Sequence, residues 1–245
     1  MTRQRLDQAL LQRGLCTSRE LARALVQAGD VLVDGRPAVK PAMTVRETAI
    51  ITIVRPPRFV SRGGEKLDHA LTEFGLDARG IVAADIGAST GGFTDCLLQR
   101  GAASVFAVDV GYGQIDYRLR TDSRVKVMER VNARYMRPLP EAVDLVVADL
   151  SFISLRLVLP ALVPSMRPGA RLVVLVKPQF EAGRGEVGKG GIVRDALIHA
   201  AVLGRMARWL TIERYRILGL TTSPIRGAEG NREFLMYLQR PDGDR

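Results

Sequence analysis

From residue 82 onward the chain alternates short apolar runs with longer amphipathic stretches. The runs fall at 82–86, 105–110, 125–128, 145–148, 172–176, 215–221 and 234–238. Their length and β-branched content predict strands. An unbroken run such as Leu172-Val173-Val174-Leu175-Val176 suits a strand covered on both faces. Between the runs, apolar residues recur at helical spacing over 66–74, 93–100, 155–166 and 196–210. Strand and helix in alternation predict a doubly wound α/β sheet over residues 60–245. Residues 1–54 read differently, as a small α+β module. Leu6, Ala9, Leu10 and Leu15 mark one helix, and Ser18 caps a second that buries Leu21, Leu25 and Val26. The turn Asp34-Gly35 then joins Val31-Leu32-Val33 to Pro37-Ala38-Val39 in a hairpin, and 48–53 adds a strand. Residues 55–59, with Arg55-Pro56-Pro57-Arg58, form a stiff linker.

The strand at 82–86 leads into Asp85-Ile86-Gly87-Ala88-Ser89-Thr90-Gly91-Gly92-Phe93-Thr94. Gly87 and Gly91 leave backbone open to a ligand, and Gly92 lets the following helix pack closely. The next run, Val105-Phe106-Ala107-Val108, ends in Asp109, about 20 residues on, where nucleotide-binding sheets place a carboxylate against ribose hydroxyls. The pairing points to an adenosine-containing cofactor. Strict G-x-G-x-x-G spacing is absent, so the turn alone leaves a dinucleotide and S-adenosylmethionine both open.

Charge narrows the partners. The formal net charge is +10, from 36 Lys and Arg against 26 Asp and Glu, which favours a polyanion such as nucleic acid. No apolar run is long enough to span a bilayer, and Arg3, Arg5 and Asp7 interrupt the position of a secretory leader. Cys16 and Cys96 make no disulfide framework, and with two His there is no zinc spacing. These features predict a reduced, cytoplasmic, metal-free protein. Oligomeric state is not encoded in any of them.

Ligands of open α/β sheets bind beyond the carboxyl ends of the strands. Asp85, Asp109, Asp149 and Lys177 all stand at such ends. A lysine directly after five apolar residues is costly there unless it faces a cleft or a carboxylate.

Two sets of motifs carry family resemblances. Arg5-Leu6-Asp7, Ser18-Arg19, Gly29-Asp30-Val31-Leu32-Val33-Asp34-Gly35 and Lys40-Pro41 resemble an S4 RNA-binding domain. The resemblance puts Arg3, Arg5, Arg19, Arg23 and Lys40 against RNA backbone. Ser61-Arg62-Gly63-Gly64-Glu65-Lys66-Leu67, the glycine turn through Asp95, Ala148-Asp149-Leu150-Ser151-Phe152 and Lys177-Pro178-Gln179-Phe180 resemble the hemolysin A-like (TlyA) ribosomal RNA methyltransferases. That family joins an S4 module to an FtsJ-like, Rossmann-like methyltransferase domain. It implies methyl transfer from S-adenosylmethionine to a cytidine 2′-hydroxyl in ribosomal RNA, with S-adenosylhomocysteine as product. It also implies a Lys-Asp-Lys-Glu tetrad, matched by Lys66, Asp149, Lys177 and Glu233, with Glu229 as competitor for the fourth place.

The residue types suit that chemistry. A ribose hydroxyl must lose its proton during attack, and a neutral amine such as Lys177 can receive it. A second cation, Lys66, favours the neutral form. Glu233 holds Lys66, and Asp149 orients the amine beside the sulfonium. Asp85, Gly87, Ser89, Gly91, Gly92 and Phe93 are expected at the amino-acid end of the cofactor, Asp109 at its ribose, and Asn132 at the adenine edge or as a loop cap. Gly183-Arg184-Gly185-Glu186-Val187-Gly188-Lys189-Gly190 nearly spells a phosphate-binding loop, but Gly190 replaces the magnesium-binding hydroxyl. It reads as a mobile basic loop that orders on RNA. Cys96 reads as a packing residue and not a base-methylating nucleophile, and no N-P-P-Y loop for amine methylation follows the fourth strand. A noncatalytic ribosome assembly factor and a membrane-active hemolysin are the competing readings.

Overall fold

The computed structural model describes residues 3–16, 18–54, 57–183, 185–227 and 230–240. Arg55, Pro56, Arg184 and Glu229 therefore lie outside the described residues. The chain divides into two compact units, Met1–Arg62 and Gly63–Arg245.

In the first unit, β1 (Arg3–Arg5) leads into α1 (Leu6–Gln12) and α2 (Arg19–Gln27). Ser18 Oγ accepts the Leu21 N–H at 3.1 Å, satisfying one of the open donors at the start of α2. β2 (Val31–Val33) turns through Asp34 and Gly35, both at positive φ, into β3 (Arg36–Pro37). β4 (Thr44–Arg46) pairs antiparallel with β1, and β5 (Ile51–Ile53) pairs antiparallel with β2. The strand expected over 48–53 is thus confined to its last three residues, and β4 is an element the pattern did not predict. Leu6, Leu10, Ala22, Leu25, Val26, Val31 and Val45 share one core.

The second unit begins with α3 (Gly63–Glu73), followed by β6 (Val82–Ile86), α4 (Gly92–Gln99), β7 (Ser104–Val108), α5 (Tyr117–Arg120), β8 (Val125–Met128), β9 (Val143–Ala148), α6 (Leu159–Leu162), β10 (Met166–Val176), α7 (Pro178–Glu181), α8 (Ala196–Ile212), β11 (Arg216–Thr222) and β12 (Phe234–Gln239). The sheet order is β11-β12-β10-β9-β6-β7-β8. β6 to β10 are parallel to one another, and β12 runs antiparallel between β10 and β11. Alternate residues of the strands face opposite layers. Ile86, Val108, Val146, Val174 and Met236 pack with Val202, Met206 and Leu210 of α8 on one face. On the other face, Phe74 at the end of α3 stacks on Tyr237 of β12, with centroids 5.3 Å apart. Arg100 Nη2 clamps α3 to the end of α4, donating to Asp68 Oδ1 and Thr72 Oγ1, both at 2.6 Å.

The helix expected over 155–166 is broken. The segment contains 3-10 turns at Leu155–Leu157 and Val163–Ser165 around the four-residue α6, and Met166 already belongs to β10. Pro160 and Pro164 account for the break, because each removes a helical N–H donor.

Candidate active site at the carboxyl edge of the sheet

The strand ends fix one ion-pair chain. Lys66, in the second turn of α3, projects toward the start of β12, where its Nζ donates to Glu233 Oε2 at 2.6 Å. The same Nζ lies 3.7 Å from Asp149 Oδ2. Asp149 directly follows β9, and its Oδ1 lies 2.7 Å from Lys177 Nζ, directly after β10. Lys177 also donates to Ser151 Oγ at 2.9 Å. Two cations and two carboxylates therefore alternate, so each buried charge has an opposite neighbour. Glu233 is 2 % exposed, whereas Asp149, the other carboxylate paired with Lys66, retains 21 % of its side-chain surface. The chain runs from a sealed end at Glu233 toward solvent at Asp149. Glu229, the competitor for the Glu233 position, lies outside the described residues.

Glu233 is seated by a residue the sequence did not single out. A Cβ on Gly227 would overlap Glu233 Oε1. The turn is closed by Gly227 N–H donating to Asn231 O and by Ser223 N–H donating to Glu233 O, both at 2.9 Å. Two neighbours belong to the Ala148–Phe152 motif but received no role of their own, because a single polar or aromatic residue carries no periodic signal. Ser151 is one. Phe152 is another: it sits at φ +63° and is 90 % exposed, with its ring 5.2 Å from that of Phe180. Glu181 fixes this corner by accepting from Ser154 Oγ and Leu155 N–H, both at 2.7 Å. Burial pushes its carboxyl above the usual range.

The glycine turn lies at the ends of β6 and β7. Gly87 takes φ +84°, and a Cβ there would stand 2.5 Å from Asp149 O, so the turn and the ion-pair chain are packed together. Gly91, also at positive φ, caps α4 where a Cβ would overlap Leu119 Cδ1. The first-turn amides of Gly92 and Phe93 have no acceptor within α4, whereas the Phe93 ring is buried. Asp85 is fully buried. Its Oδ2 accepts from Thr94 N–H at 2.9 Å and Thr94 Oγ at 2.7 Å, while Oδ1 has no partner among the described residues. Burial is the main cause that lifts this carboxyl to about 7. Asp109 accepts from Ser89 N–H at 2.8 Å and from Gly111 N–H at 2.6 Å, which leaves each oxygen a further lone pair. Asn132, an exposed residue, caps a 3-10 turn by accepting at Oδ1 from Arg134 N–H at 3.0 Å. Cys96 is buried in α4.

In the first unit a fully buried carboxylate gathers arginines. Asp7 receives Arg5 Nε and Nη2, both at 3.0 Å, Arg19 Nη2 at 3.3 Å and Arg23 Nε at 3.4 Å. The Arg5 guanidinium holds the Asp7 carboxyl well below the usual range. The three arginines remain roughly half exposed, and Arg3 and Lys40 are exposed. Arg13 turns inward and binds Ala49 O at 2.6 Å and Glu47 O at 2.7 Å. Among the described residues no helix is long and apolar enough to cross a membrane, and no group of His, Cys, Asp and Glu is arranged to hold a metal.

Residues 59–240 match the family of FtsJ-like methyltransferases, and residues 4–51 match the S4 domain. The chain is 49 % identical to the 16S/23S rRNA (cytidine-2'-O)-methyltransferase TlyA of Mycobacterium tuberculosis, over 97 % of this chain and 90 % of the relative. It is 40 % identical to Hemolysin A of Brachyspira hyodysenteriae, over 95 % and 98 % of the two chains. A solved structure of a hemolysin candidate from Streptococcus thermophilus superposes with a TM-score of 0.79 at 42 % identity, covering 99 % of this chain and 90 % of that one.

Proposed function

We propose that this chain, which belongs to the FtsJ-like methyltransferase family and carries an S4 domain, methylates the 2′-hydroxyl of a cytidine ribose in ribosomal RNA. The observation that carries this reading is the contact chain Glu233–Lys66–Asp149–Lys177 packed against the glycine turn. The relative from Mycobacterium tuberculosis, whose name states that reaction, supports it.

The residues of the turn suit S-adenosylmethionine, which when bound supplies a methyl carbon made electrophilic by its sulfonium and departs as S-adenosylhomocysteine. Asp85 Oδ1, buried and unpartnered, offers an acceptor for an amino group. The backbone of Gly87, Ser89 and Gly91 with the first-turn amides of Gly92 and Phe93 suits a carboxylate. Asp109 has lone pairs for ribose hydroxyls, and the Asn132 amide has donors for an adenine edge.

Lys177 Nζ, after giving up one proton to solvent, takes the proton of the attacking 2′-hydroxyl as the new oxygen–carbon bond forms. Asp149, 2.7 Å away, then balances the ammonium. Glu233 fixes Lys66, and Lys66 fixes the other oxygen of Asp149, so the general base is held by a chain anchored in the core. Most of the acceleration comes from holding the acceptor oxygen in line with the methyl carbon. The exposed Phe152 ring offers a stacking face for an unpaired base near that oxygen. Arg3, Arg5, Arg19, Arg23 and Lys40 bind phosphates of the same RNA.

Incubation with labelled S-adenosylmethionine and separated small and large ribosomal subunits, followed by nuclease digestion and mass mapping, tests the reading. The expected product is 2′-O-methylcytidine. Label on a base, or binding to subunits without any label, contradicts it.

A further inference from the structure

Beside the proposed active site, a cleft of about 380 Å³ opens between the loop that precedes α8 and the loop that precedes β12. Arg194, Arg226 and Arg232 line it, with His199 among the apolar residues. The two loops are stapled by one buried amide. Asn231 Oδ1 accepts from Val193 N–H, and Asn231 Nδ2 donates to Gly191 O, both at 3.0 Å. His199 Nε2 donates to Val193 O at 2.9 Å, and its ring meets Phe234 edge-on at 5.6 Å. The rim is thus bound to the same turn that seats Glu233, through Gly191, the residue that follows the near-phosphate-loop motif.

Arg226 Nη1 donates to Gly230 O at 3.2 Å, a backbone acceptor that leaves its charge unbalanced among the described residues. Among the described residues no carboxylate pairs with Arg194 or Arg232. Two acids of the loop before α8 are engaged elsewhere: Asp195 caps α8 through Leu197 N–H, and Glu186 pairs with Arg205. Three guanidinium groups line one cleft with no carboxylate partner among the described residues, which suits an anion with several oxygens.

Its place in the sheet selects the anion. The glycine turn stands at β6 and β7, whereas the cleft stands beside β12, separated from β6 by β9 and β10. It is therefore on the far side of the Lys177–Asp149 chain from the turn, where the methyl acceptor has to enter. Arg232 directly precedes Glu233. We infer that Arg194, Arg226 and Arg232 form a grip for backbone phosphates of RNA that flank the target ribose. This rests on the reading above that the acceptor is RNA. Phosphate contacts fix register without reading sequence, so the cleft would set which ribose reaches Lys177.

The test compares wild-type protein with R194Q/R232Q and with R79Q/R124Q. The second pair removes the same charge at the amino ends of β6 and β8, where each arginine is paired with an aspartate. Affinity for ribosomal subunits is measured against salt, without cofactor, together with S-adenosylhomocysteine affinity and melting temperature. The expected result for R194Q/R232Q is at least tenfold weaker subunit binding and a salt slope lower by about 2. In methyl transfer, KM for subunits rises while kcat at saturation stays near wild type. Cofactor affinity and melting temperature are unchanged. Equal losses in both variants, or no loss in R194Q/R232Q, overturn the grip. Because binding is scored without turnover, failure of the wild type to methylate any subunit would strike the reaction and not the cleft.

Discussion

Gly227 shows how much of the site depends on a missing side chain. A methyl group there would displace Glu233, the buried anchor of the ion-pair chain. Gly227→Ala should therefore lower kcat by about 10²-fold, since a shift near 1 Å in a catalytic group costs that much. S-adenosylhomocysteine affinity should stay within about threefold by calorimetry, and an unchanged kcat would refute the anchoring role. Asp85 makes a second prediction. Its carboxyl sits near 7 in the fold against about 4 when unfolded, so the folded state holds the extra proton between those values. Stability from this group is present at low pH and is lost as pH rises from about 4 to 7. In thermal melts between pH 5 and 8, Asp85→Asn should show a flatter pH dependence than wild type; parallel curves would contradict the assignment. Lys66, Asp149 and Lys177 were legible because each lies in a motif or at the end of an apolar run. Gly227 and Asn231 were not, and Ser151 and Phe152 were legible only as motif members without a role, because what these residues do depends on distant partners meeting across the fold.

At the scale of elements, hydrophobic periodicity located the seven strands of the large sheet and most helices, because these bury continuous or regularly spaced apolar side chains. It failed where local covalent chemistry overrides spacing, as at Pro160 and Pro164. It also missed β4, a three-residue strand with one buried side chain, which exists because β1 is there to pair with it. The β1–α1–α2 corner carries its own prediction. Asp7 holds guanidinium groups from β1 and α2 in one fork. Asp7→Asn removes the charge that gathers them, so subunit affinity should fall and the salt slope should decrease, with cofactor binding unchanged. Subunit binding equal to wild type at each salt concentration would reduce the fork to a structural brace.

For the molecule as a whole, a net charge of +10 is joined to two places where arginines cluster, the fork around Asp7 and the cleft beside β12. Composition alone pointed to a polyanion; the S4 resemblance proposed the first cluster as its contact, and the cleft beside β12 emerged only from the coordinates. The central claim is that the amine of Lys177 receives the ribose proton. It is tested most directly by Lys177→Ala in the labelled transfer assay with ribosomal subunits, run beside calorimetric binding of S-adenosylhomocysteine. The account predicts loss of 2′-O-methylcytidine formation with cofactor affinity within about threefold of wild type, because the side chain acts on the acceptor and not on the glycine turn. Wild-type turnover by Lys177→Ala would contradict it.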